Sequence, residues 1–158
     1  MTIHPLKPAE TLPHPVLPSK ISDGDVVHFE SEPLPVIITG GNVVALHHVF
    51  TWISVARWSS GAPVTEGIGV HDLDEEIELL ARGETVRADE VHDGDVLLLT
   101  GCASDYGIVV GEPRLIRPDV VDIAWKAGCL PKGGPQVIGF LQKDPSYGLR
   151  RAPRRWTR

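Results

Sequence analysis

Prolines at both ends decide how much of this chain is free to form regular structure. Pro5, Pro8, Pro13, Pro15 and Pro18 all fall between residues 1 and 20. A proline ring fixes φ and removes a backbone donor, so this density rules out a helix and leaves gaps in any sheet ladder. Residues 1–20 are therefore expected as an extended arm. From Lys143 onward Pro145, Gly148 and Pro153 break the chain again, with few apolar residues to anchor it. Residues 143–158 read as a second arm, which leaves residues 21–142 for a single domain.

The whole chain has 158 residues, enough for one core and no more. Its 42% apolar content is that of a globular protein. A net charge of -6 argues against a nucleic-acid partner, because phosphate binding needs surplus Lys and Arg. The charge is uneven: Arg150, Arg151, Arg154, Arg155 and Arg158 make the end basic on an acidic body. Trp156 among those arginines is a candidate anchor for a partner, so Arg150, Arg151, Arg154, Arg155 and Trp156 form the candidate partner-binding set. Cys102 and Cys129 are too few for a disulfide framework. Neither a secretion signal nor an apolar run of the ~20 residues that span a bilayer is present. The expectation is a protein made in the cytoplasm.

Between the arms, Val26 to Phe29 and Val36 to Thr39 read as short strands around a loop holding Pro33 and Pro35. Residues 47–60 carry Val49, Trp52, Ile53 and Ala56 at helical spacing, stopped by Gly61 and Pro63. A second helix is expected from Asp72, with Glu75 completing a capping box, a Leu73, Ile77 and Leu80 stripe, and Gly83 at the stop. Asp95 to Leu99, Gly107 to Val110 and Arg114 to Ile116 then read as a meander, and Val137 to Leu141 as a last strand. Asp119 to Lys126 fits a helix begun by Pro118 or another strand. The run Ser22-Asp23-Gly24-Asp25-Val26-Val27 is echoed by His92-Asp93-Gly94-Asp95-Val96-Leu97. Repeated turn chemistry is the reading preferred over a duplicated domain.

Gly94 to Leu99, then Tyr106-Gly107-Ile108-Val109-Val110-Gly111, then Arg114-Leu115-Ile116, resembles the core of the NlpC-type, papain-fold cell-wall cysteine peptidases. Val137 to Leu141 is similar to that family's closing strand. The resemblance spans roughly residues 40–142 and implies an α+β, papain-like fold with helices packed on an antiparallel sheet. It places the family's nucleophile at His47, its base at Asp105 and its orienting group at Arg117. Such catalysis needs a thiolate at a helix N-terminus and an imidazole base, so all three roles are lost together. Asp105 and Arg117 could pair as a salt bridge where the base and its partner once stood.

An enzyme reading survives only with Cys102 as nucleophile and His47, His48 or His92 as base. Neighbouring His47 and His48 point apart on a helix, so no metal site is expected there, and no cofactor. The resulting expectation is a non-catalytic NlpC-like domain, a structural or binding subunit that meets other protein subunits through its arms. The family's associations make a phage virion or tail the setting. A module that binds cell-wall peptide, with peptidoglycan as partner, is the alternative, and a thiol hydrolase is the third reading.

Overall fold

Each half of the chain builds the same sheet. The computed structural model describes residues 10–57, 61, 63–98, 106–117, 120–127, 136–141 and 149–157. The first half forms β1 (His14–Val16), β2 (Val26–His28), β3 (Val36–Val44), β4 (His47–Ser54), β5 (Glu66–Asp72) and β6 (Ile77–Ala81). The second forms β7 (Glu84–Val86), β8 (Val96–Leu98), β9 (Tyr106–Val109), β10 (Arg114–Arg117), β11 (Val120–Ala127), β12 (Gln136–Leu141) and β13 (Leu149–Arg151). One short helix, α1 (Arg154–Thr157), follows.

All strand pairs are antiparallel, and the two orders agree. The first sheet runs β1-β6-β2-β3-β4-β5. In the second, β7-β13-β8-β9-β11 is followed by β12, with β10 continuing the line of β9 along β11. The register agrees as well. Val26 faces Ile37 as Val96 faces Ile108, and Ile38 faces Trp52 as Val109 faces Trp125. The last strand of each half inserts between the first two, so Val27 faces Leu79 as Leu97 faces Arg151. The Gly-Asp echo is thus the visible trace of a duplicated unit, and the preference for mere turn chemistry is corrected.

The α+β papain-like expectation is contradicted. Residues 47–54, expected within the catalytic helix, are β4 in the middle of a hairpin ladder. The second expected helix is the end of β5, a turn in which Glu75 N–H donates to the Asp72 carbonyl, and β6. The reason lies in which side chains are buried. His48, Phe50 and Trp52 point inward at every second position, as do Ile77, Leu79 and Ala81. That is the period of a strand. Nor do β9 and β10 form a hairpin, since both pair with β11, which is the segment left open between helix and strand.

Both presumed arms hold strands. Edge strand β1 includes Pro15, in a position where a missing donor costs least. β13 lies between β8 and β7. Trp156, expected to have no core, packs against the residues joining the two halves.

Three apolar clusters hold the molecule. Val16, Val27, Ile38, Phe50, Trp52 and Ile77 fill the first unit. Their counterparts Val86, Leu97, Val109, Ile123, Trp125 and Leu149 fill the second. A third cluster joins the units and again uses matching positions, among them Val26 with Val96 and Ile37 with Ile108.

Candidate functional site

The duplication separates what each unit needs in order to fold from what one unit has added. Each Gly-Asp turn has a glycine at positive φ, Gly24 at 88° and Gly94 at 83°, a region that disfavours a Cβ. In each, the following aspartate is fully buried. Asp25 accepts from Ser22 N–H at 2.8 Å and Asp95 from His92 N–H at 2.8 Å. Each then takes an arginine from just beyond the unit's last strand. Arg82 reaches Asp25 at 3.0 Å and the Lys20 carbonyl; Arg154 reaches Asp95 at 2.9 Å and the Glu90 carbonyl. Arg151 adds a second guanidinium at 3.3 Å from Asp95.

Burial alone would raise the Asp95 carboxyl. The hydrogen bonds from Arg154 and from His92 N–H, with the charges of Arg154 and Arg151, outweigh it and hold Asp95 below the ordinary carboxylate value. Repeated in both units, this clasp is structural. It also accounts for Arg151 and Arg154, which point inward to Asp95. Arg150 donates to the Asp23 carbonyl and to Thr85, Trp156 is half-buried, and Arg155 remains exposed. The basic end is therefore mainly committed to internal contacts.

The expected degenerate active site is not assembled by the described residues. His47 opens a strand, half exposed and 3.4 Å from Asp72, with no helix behind it. Arg117 ends β10 on the surface. Asp105, Cys102 and Cys129 lie outside the described residues. Of the bases considered for Cys102, His92 is bonded to Glu112 on the surface at 2.8 Å, and His48 is buried.

The first unit carries features without counterparts in the second. His48 and His71 face each other across β4 and β5, where the second unit has Val121 opposite Phe140. His48 stacks on Phe50 at 4.2 Å, and His71 on Phe29 at 4.5 Å. Nδ1 of His71 donates to the Glu75 carboxylate, while Nδ1 of His48 and Nε2 of His71 have no hydrogen-bond partner among the described residues. Burial and the nearby His71 push the His48 imidazole down from its ordinary value. Beside the stack runs a groove of about 730 Å³ lined by Phe29, His71, Val70, Glu30, Glu75, Glu76 and Glu78, among others. Among the described residues no lysine or arginine lines it. No group of three or more His, Cys, Asp or Glu among the described residues is arranged to hold a metal.

The most exposed apolar residues lie at the far ends of the two sheets. The sheet face that carries Ile37 and Ile53 against the second unit continues outward past its cover. There Ile68 and Val70 are 71% and 63% exposed on β5, while Val44 lies on the same face two strands away and Leu46, 79% exposed, forms the tip of the β3–β4 hairpin. β5 is the outermost strand of its sheet, so among the described residues one of its edges has no ladder partner. At the far end of the second sheet Leu115 is 66% exposed on β10, on the opposite face, across from the buried Val121. Sequence reasoning missed these residues because isolated apolar positions look the same whether they face a core or water. The alternation of Gly67, Ile68, Gly69 and Val70 was the available signal: glycines on one face leave only the other face with side chains.

No protein-family model, curated protein or solved structure matches the chain. No helix among the described residues is long and apolar enough to cross a membrane.

Proposed function

We propose that this chain is a non-catalytic binding subunit of a larger assembly, held to its neighbours by the uncovered ends of its two sheets. The supporting observation is the pair Ile68 and Val70, exposed side by side on edge strand β5, which pairs only with β4 among the described residues. Contiguous exposed apolar surface of this kind marks interaction sites, and an open edge strand is a template for strand addition. Of the sequence expectations, the binding role is kept. The papain-like fold is not, because the segment at the nucleophile position is a β-strand.

A photo-crosslinking residue in place of Ile68, in native extract, tests the reading. A discrete adduct at Ile68, with none when the probe replaces exposed Arg87, is the expected result. No adduct at Ile68 would overturn it.

Binding of wall peptide is a second reading, favoured by the groove, whose four carboxylates beside a Phe29–His71 stack suit a ligand bearing free amines. Co-sedimentation with peptidoglycan, abolished by Glu76→Lys and Glu78→Lys together, would support it.

A further inference from the structure

His48 and His71 stand opposite each other on β4 and β5, in seats built for a neutral ring. Both rings lie down over glycines: a Cβ on Gly41 would be 3.0 Å from Nε2 of His48, and one on Gly69 2.7 Å from Nε2 of His71. Gly41 and Gly69 in turn flank Phe50 from the two neighbouring strands. Phe50 stacks on His48 and Phe29 on His71. Nδ1 of His71 already donates to Glu75, so an added proton goes to Nε2, which has no acceptor among the described residues. Nδ1 of His48 has none either. Two charged rings would thus face each other across one ladder position, with buried donors left unpaired.

The other charged groups lie on the His71 side. The β5–β6 turn supplies Glu75 and Glu76, β6 supplies Glu78 and the segment after β2 supplies Glu30, while His28 lines the same groove and bonds the Glu32 carbonyl. β3 brings no titratable side chain, having Gly41 and Val43 nearest. His47 and Asp72, the next pair along the ladder, belong to the opposite sheet face. His71 therefore has a counter-charge in Glu75, and among the described residues His48 has none. Burial, and then the charge of His71, hold the His48 imidazole below its ordinary value.

We infer that the pair is an acid-operated latch: neutral rings seat β5 on its unit, and protonation of both releases β5 together with the turn that follows it. β5 is the element that can leave, because among the described residues it pairs only with β4. Swinging it outward carries His71 and Glu75 into water together and uncovers His48. The latch goes beyond the binding role proposed above and holds whether or not the β5 edge has an occupant.

Hydrogen exchange of the full chain at pH 7 and pH 5, read by residue as protection relative to the free amide, tests this. An opening that takes up one proton gains at most about tenfold per pH unit, so protection of the bonded β5 amides should fall by about tenfold or more over that span. At pH 5 it should stand well below that of Ile37 and Ile38, which open only with the whole unit. His48→Phe should lose most of the fall. Far-UV circular dichroism checks that this variant is folded; if it is not, His48→Gln takes its place with the same expectation. β5 amides as protected as Ile37 and Ile38 at pH 5, no fall in β5 between the two pH values, or an equal fall in the folded variant overturns the inference.

Discussion

Arg82 and Arg154 do the same work in the two halves of the molecule: each closes a unit by donating to a buried aspartate, Asp25 or Asp95, and to a carbonyl of the preceding 3₁₀ turn. Four residues far apart in sequence thus become two copies of one clasp. Truncating Asp95 takes the shared buried acceptor from Arg154, Arg151 and His92 N–H at once, which costs about 3–5 kcal/mol. Asp95→Ala should therefore lower the urea midpoint strongly. Arg154→Ala combined with it should add much less than its own separate cost, because the pair is already broken.

The same clasp sets the acid limb of stability. Asp95 titrates lower in the folded chain than in the unfolded one, so its contribution is complete above the unfolded value of ~3.9 and is lost as pH falls through the folded value. Glu10, drawn down to about 2 chiefly by its hydrogen bonds from Arg82, acts in the same direction, weakened by its exposure to solvent. Equilibrium unfolding across pH 2 to 5 should show this slope, and Arg154→Ala should flatten it.

His48 gives a second, higher step of the same sign by a different route. Its folded value is depressed, so both states are neutral above ~6.5, and below that pH the unfolded chain takes up a proton that the buried imidazole resists. Stability should fall as pH drops from 7 toward 5. His48→Phe, which keeps a ring on Phe50, should remove that step; a pH profile unchanged by the substitution would count against it.

Gly67 lies under the Trp52 ring, where a Cβ would come within 2.2 Å of it. The ring must move, so Gly67→Ala should cost about 1–3 kcal/mol by overpacking and alter the near-UV tryptophan signal. Gly61, with open space around its Cβ position, is the contrast: a side chain there meets only its positive φ of 84°.

Ile68→Asp and Val70→Asp should change stability by less than about 0.5 kcal/mol, since both side chains already face water. Binding of an apolar fluorescent dye should fall with each. A large loss of stability would mean that these residues are covered in the folded chain.

Sequence patterns located the short strands well, because β2, β8 and β9 are runs of branched or large apolar residues bounded by Gly-Asp or proline turns. They failed at β4 and β6, where two periods fit the same residues. Val49, Trp52, Ile53 and Ala56 satisfy a helix, and His48, Phe50 and Trp52 satisfy a strand. The decision belonged to pairing partners distant in sequence. The Asp72 and Glu75 capping signature misled for a related reason: the same donor and acceptor spacing closes a tight turn between strands. The duplication was half legible. Its Gly-Asp turns were seen, but Trp52 with Trp125 and Arg82 with Arg154 align only after different insertions are allowed in each half. The candidate site was least legible, since which apolar side chains stay uncovered is decided by pairing across the whole sheet.

Because the final strand of each unit slots between its first two, neither sheet can close until its last residues exist. During synthesis β6 is complete before β7 is made, so the first unit can finish folding alone. The second must hold β8 beside a gap until β13 arrives, a delay of about 3–10 seconds at about 5–20 residues per second. For that interval the finished unit is the one surface on which the waiting strands can rest, and Val26 and Ile37 stand ready to receive them.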